Sequence, residues 1–90
     1  MGMAVVKIKV MPTSPEVDLE QLQSKINKIL ETADAKGCKI EIEPIAFGLN
    51  ALIVLFGWDE AKEIDSLENS LKEIEEVNSA EIIDMRRAIG

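Results

Sequence analysis

Hydrophobic and polar positions change period along this chain, and each change marks the edge of an element. Over residues 4–11 they alternate, with Val6, Ile8 and Val10 on one side and Lys7 and Lys9 on the other, the two-residue period of a strand with one buried face. Pro12-Thr13-Ser14-Pro15 ends it, because neither proline can donate to a ladder and both favour a turn. The period then lengthens, and Leu19, Leu22, Ile26, Ile29, Leu30 and Ala33 recur at helical spacing as one apolar stripe. Asp18 is placed to cap the first-turn amides, Gln21 to reach back to it and Val17 to pack on Leu22, so a helix is predicted over 18–35, stopped by Gly37.

Alternation returns over 38–43, where Ile40 and Ile42 would face a core while Lys39, Glu41 and Glu43 face solvent, and Pro44 marks this as an edge strand. After a bend at Ile45-Ala46-Phe47-Gly48, residues 49–56 are apolar except for Asn50, the composition of a central strand covered on much of both faces. Gly57-Trp58-Asp59-Glu60 breaks that run. Ile64, Leu67, Leu71, Ile74 and Val77 then predict a second helix over 65–77, with Asp65 and Glu68 as a capping box. Asn78-Ser79 turns the chain, and residues 80–87 form a last strand through Ile82, Ile83 and Met85.

The order β-α-β-β-α-β predicts an α+β, ferredoxin-like sandwich: a four-stranded antiparallel sheet with both helices on one face, since right-handed crossovers lay them on the same side. The first and third strands are central, the second and fourth are edges, and Lys7, Lys9, Glu41 and Glu43 belong to the open face. Ninety residues leave room for one core, so residues 1–90 are read as a single domain.

Charge narrows the choice of partner. Ten Lys and Arg against 17 Asp and Glu give −7, and almost all of the excess lies in the second half, residues 1–45 summing to −1 and residues 46–90 to −6. Such a domain is repelled by phosphate backbones and anionic lipid, so neither direct nucleic-acid binding nor a membrane surface is expected. Sheet-based RNA recognition also needs exposed aromatics, and Phe47, Phe56 and Trp58 all lie outside the first strand. A single cysteine, the absence of any long apolar run and Val6 in place of the Ser or Thr of a myristoylation signal point to an unanchored protein of the reducing cytoplasm.

Candidate chemistry is sparse. No histidine is present, which removes the commonest general base and the commonest zinc ligand together. Glu73, Glu75 and Glu76 read as a solvated helix face, Asp59-Glu60 as a turn, and Cys38 as a small buried residue opening the second strand rather than a reactive thiol. The scattered glycines make no phosphate-cradling loop, so neither an enzyme nor a cofactor or metal site is expected. Two features remain. Phe47-Gly48 sits in the connection between the second and third strands, where a large apolar residue either folds back on the core, the reading the pattern leans to, or serves as a contact anchor. Arg86-Arg87 places two adjacent cations at the end of the last strand of an acidic half, where pattern alone reads them as solubilising charges.

Val10-Met11-Pro12 followed by Asp18-Leu19 and Leu22, then Pro44-Ile45-Ala46-Phe47-Gly48-Leu49 with Leu52, and last Val77-Asn78-Ser79-Ala80-Glu81-Ile82, give the chain a resemblance to a known family. Over essentially all 90 residues it resembles the guanine-nucleotide exchange domain of translation elongation factor 1-beta in its short archaeal form. The resemblance implies an exchange factor for the GTPase elongation factor 1-alpha, with Phe47 and Gly48 contacting the GTPase and a C-terminal cation, Arg87 or its neighbour Arg86, entering the region of the nucleotide's Mg²⁺. Ala46 stands where many relatives have glycine, and Arg87 stands where eukaryotic relatives have a lysine next to the last residue. Two other readings stay beside it: a metabolite-sensing domain of the same fold, for which Pro12-Thr13-Ser14-Pro15 offers no glycine-bearing ligand turn, and an assembly module that binds without changing nucleotide release.

Overall fold

A computed structural model describes residues 2–88. The elements are β1 (Met3–Pro12), α1 (Leu19–Thr32), β2 (Lys36–Pro44), a 3-10 turn (Ala46–Gly48), β3 (Asn50–Asp59), α2 (Asp65–Lys72) and β4 (Val77–Ala88). The strands form one antiparallel sheet in the order β2-β3-β1-β4. This is the ferredoxin-like α+β arrangement that the periods predict, with β1 and β3 inside and β2 and β4 at the edges.

Register decides what is buried. Ala4, Val6, Ile8 and Val10 stand opposite Trp58, Phe56, Val54 and Leu52, and directly paired residues share a face, so these eight make one apolar surface. Leu22, Ile26 and Leu30 of α1 and Leu67 and Leu71 of α2 close over it. Phe56 and Trp58 meet edge to face, ring centroids 5.9 Å apart at 81°, and carry the core to the far end of β3. There the indole Nε1 donates to the Lys62 carbonyl at 3.1 Å, and the Lys62 ammonium lies 4.7 Å from the ring centroid. On the open face, Lys7 and Lys9 stand beside Leu55 and Ile53, as Glu41 stands beside Ile53 and Glu43 beside Ala51.

Several boundaries differ from the sequence expectation, each for a tertiary reason. Asp18 caps α1 as predicted, its Oδ1 accepting from the amides of Glu20 at 3.0 Å and Gln21 at 3.3 Å. The helix ends at Thr32, however, because Asp34 turns the chain with φ +64°; Gly37, at φ +58°, lies inside β2, where the register slips between Lys36 and Lys39. Cys38 sits at that slip and is exposed, not buried. Ile42 is half exposed rather than in the core, whereas Ile40 on the same edge strand packs against the core.

At the other end, β3 continues through Gly57-Trp58 to Asp59, the ladder holding Gly57 between Val5 and Lys36. Helix α2 stops at Lys72, five residues short of the expectation, and no capping box forms. Ile64 occupies the N-cap position, while the Glu68 carboxylate accepts from the Ile82 amide at 3.3 Å and pairs with Lys72 at 3.6 Å. Asn78-Ser79 belongs to β4 and not to a turn, because the outer edge of β1 pairs down to Met11 and Pro12. No helix among the described residues is long and apolar enough to cross a membrane.

Candidate functional site

The sequence nominates two places, and the fold puts them at opposite ends of the sheet. At one end, the β2–β3 connection is closed by the Ile45 amide donating to the Leu49 carbonyl at 2.7 Å and the Leu49 amide donating to the Ala46 carbonyl at 3.4 Å. Closing so tight a link pushes two successive residues into the left-handed region, Phe47 at φ +64° and Gly48 at φ +76°. Glycine tolerates this; for Phe47 it costs on the order of 1–2 kcal/mol. The ring gains no burial in return, since Phe47 is 95% exposed. The folding back to which the pattern leans is therefore overturned, and a large apolar side chain stands in water on a braced tip.

At the other end, β1 pairs Val5 with Arg86 and Ala4 with Arg87, so the two cations point to opposite faces of the sheet. Arg86 is on the open face, its Nε bonded to Asp84 Oδ2 at 3.1 Å within the same strand. Arg87 is on the helix side, its Nε bonded to Glu60 Oε1 at 2.8 Å across the sheet. Both guanidinium groups are largely exposed. Ala4 also pairs with Trp58, and Asn50 pairs with Pro44 beside the tip, so the two regions are about 26 Å apart, eight steps of β3 at about 3.3 Å each.

Between them the open face is mixed. Met3 and Val5 of β1 and Ile83 at the β4 bulge are exposed hydrophobics beside Lys7, Lys9 and Arg86. The electrostatics elsewhere are structural: a hydrogen bond from Lys36 holds the Asp34 carboxyl below its usual range, and one from Lys25 does the same for Glu76. Desolvation of its sulfur, with Glu31 nearby, pushes the thiol of the exposed Cys38 up, which lowers its thiolate fraction. No cluster of three or more His, Cys, Asp or Glu side chains suited to a metal occurs among the described residues. A groove of about 850 Å³ between α1 and α2, lined by Ile29, Trp58, Leu67 and Ile74 among others, includes none of Phe47, Gly48, Arg86 and Arg87.

Residues 5–88 match the family model of the EF-1 guanine nucleotide exchange domain. The chain belongs to that family. Proteins called elongation factor 1-beta align with this exchange domain almost end to end. That of Methanocaldococcus jannaschii is 40% identical over 89 residues, covering 98% of this chain and 100% of the relative. That of Methanobrevibacter smithii is 43% identical over 88 residues, covering 97% and 98%. Among solved structures, the ACT domain from the GTP pyrophosphokinase of Chlorobium tepidum superposes with a TM-score of 0.63 at 11% identity, covering 88% of this chain and 96% of that one. BlrP1 BLUF follows with 0.60 at 16%, covering 100% and 57%. At such identities the structural likeness shows the fold alone, so the exchange domain's activity rests on the sequence family: it promotes guanine-nucleotide exchange on elongation factor 1-alpha in translation elongation. Glu60, read from the sequence as a turn residue, is the neighbour of Arg87 that sequence reasoning missed; its signal lies in strand register, which no local pattern encodes.

Proposed function

We propose that the exchange domain acts on elongation factor 1-alpha through two separated contacts, the Phe47 tip for docking and a cation at the end of β4 for nucleotide release. The observation that supports this best is Phe47 itself. A strained backbone holding an aromatic in water lowers the stability of the free protein and makes physical sense when the ring is buried in a partner. Gly48 supplies the second left-handed residue that keeps the tip narrow. A rigid body about 26 Å from tip to cation engages a GTPase at two points without refolding, which limits the entropy lost on docking.

The release step is electrostatic. Mg²⁺ in a GTPase bridges phosphate oxygens and protein side chains, and a guanidinium delivered beside it competes for those oxygens and weakens the metal, loosening the diphosphate that depends on it. Factor and nucleotide then antagonise each other. By linkage, whatever ratio the factor removes from GDP affinity, GDP removes from factor affinity, so incoming GTP ejects the factor and completes the cycle. The partner and the single unpaired cysteine both fit a cytoplasmic setting.

The test is stimulated GDP release from elongation factor 1-alpha with Arg86→Ala, Arg87→Ala and the double variant. Arg87→Ala should lower the maximal rate at nearly unchanged half-saturating concentration, Arg86→Ala should do less, and the double variant should dock without stimulating. Full-rate exchange by the double variant would remove the cation from the mechanism and leave reshaping of the GTPase by the docking surface.

A further inference from the structure

Arg87 and Arg86 are adjacent, equally charged and similarly exposed, yet their surroundings differ in one respect. The partner of Arg86 is Asp84, two residues away on its own strand, so the pair ties Arg86 to no other element. The partner of Arg87 is Glu60, which lies 27 residues earlier on the segment leaving β3.

That segment is fixed by bonds that do not involve Arg87. The Glu60 amide donates to the Gly2 carbonyl at 3.1 Å, continuing the β1–β3 ladder past its last pair. Asp59 Oδ1 accepts from the Ala61 amide at 2.9 Å, and the Asp59 carbonyl accepts from the Lys62 amide at 2.9 Å. Trp58 Nε1 then ties the Lys62 carbonyl to the core, while the Lys62 ammonium reaches back to the Ala33 carbonyl. The Glu60 carboxylate lies against Gly2, in space that any larger residue at position 2 would contest.

The atom that Glu60 holds matters as much. It accepts from Nε of Arg87, and the two terminal nitrogens of the guanidinium make no hydrogen bond among the described residues. A guanidinium held at Nε leaves free its end-on fork, one N–H from each terminal nitrogen, the geometry that matches phosphate or carboxylate oxygens in pairs. An arginine otherwise carries much rotamer freedom, and ordering it beforehand lessens what must be lost when it engages.

We infer that Glu60 is a positioning residue for nucleotide exchange, holding Arg87 by Nε so that its terminal fork arrives at the GTPase's metal and phosphate site already oriented. This rests on the proposed role of the C-terminal cation and specifies which of the two arginines is prepared for it. It also accounts for arginine rather than lysine here, since a lysine has no second nitrogen by which to be held while the first engages.

The experiment is a double-mutant cycle read in GDP release, with half-saturating concentration and maximal rate measured separately for wild type, Glu60→Ala, Glu60→Gln, Arg87→Ala and Glu60→Ala/Arg87→Ala. Glu60→Ala should lower the maximal rate by about 1.4- to 5-fold, the range that coupling within an exposed ion pair spans, at unchanged half-saturation and melting temperature. Glu60→Gln, which keeps an acceptor oxygen, should recover part of the loss, and Glu60→Ala should do nothing further once Arg87 is alanine. The Arg87 Nε–H resonance, followed by NMR in the factor alone, should move in Glu60→Ala. A faster Glu60→Ala would make the pair a restraint to be broken, and an equal loss with or without Arg87 would make Glu60 merely structural; either overturns the inference. If Arg87→Ala exchanges at the full rate, the failure lies instead in the role given to Arg87.

Discussion

Replacing Phe47 with alanine separates docking from folding, and the structure sets both magnitudes. The ring is 95% exposed, so its removal takes almost no apolar area out of the core, and alanine at φ +64° carries the same kind of Cβ strain as phenylalanine. Stability should therefore change by no more than about 0.5 kcal/mol, or about 2–4 °C in melting temperature for a domain this small. Docking behaves differently. Burying a phenylalanine side chain from full exposure stabilises by about 1.5–3 kcal/mol, so its loss should raise the half-saturating concentration of factor by about 10- to 150-fold. The assay is release of fluorescent GDP from elongation factor 1-alpha over a titration of factor, with a thermal melt of each variant alongside. Phe47→Gly sharpens the comparison: it loses the same contact yet relieves the left-handed strain, so it should bind as poorly as Phe47→Ala while melting higher. A Phe47→Ala variant that melts many degrees lower and binds normally would refute the reasoning, because it would mean that the ring packs on its own chain.

Other outcomes follow from the same geometry. Lys7→Ser/Lys9→Ser should leave the melting temperature almost unchanged, as open-face lysines contribute within about 0.5 kcal/mol each; a large loss of binding would make that face part of the docking surface. Trp58→Ala should cost about 3–5 kcal/mol in a denaturant titration, since it empties the end of the core and orphans the Lys62 carbonyl. The Glu76 carboxyl is held below its ordinary 4.5 by Lys25, so the folded state binds fewer protons than the unfolded one there; this stability is fully present above about pH 4.5 and lost as pH falls through the lowered value, and Lys25→Ala should flatten that acid slope. Lowering free Mg²⁺ should speed unassisted GDP release and narrow the factor's advantage, because the metal it competes with is already leaving.

The sequence was most legible where one physical force acted alone. Val6, Ile8 and Val10 alternate because one face of β1 is buried, and the stripe from Leu22 to Leu30 repeats every three or four residues because one side of α1 is buried; both readings needed only the period. It was least legible where a partner element decided. Trp58 looked like a break after Gly57 because nothing local shows that Ala4 and Met3 continue the ladder past the glycine. Ile42 alternates as faithfully as Ile40, yet only Ile40 packs on the core, because position within an edge strand sets the cover each receives. In the candidate site, adjacency alone foretold that Arg86 and Arg87 face opposite ways. The exposure of Phe47 was hidden, since a hydrophobic residue in a bend is folded inward or left outside according to backbone angles that the sequence does not display. Glu60 was hidden more deeply, because its relation to Arg87 passes through two strand pairings.

One measurement bears most directly on the central claim that this chain releases nucleotide through its two ends: the rate of fluorescent GDP release from purified elongation factor 1-alpha at saturating factor, with wild type, Phe47→Ala and Arg86→Ala/Arg87→Ala compared at fixed free Mg²⁺. The account predicts strong acceleration by wild type, the same maximal rate for Phe47→Ala once enough is added, and little acceleration by the double arginine variant however much is added. Release unchanged by saturating wild-type chain, or fully accelerated by the double arginine variant, would contradict it.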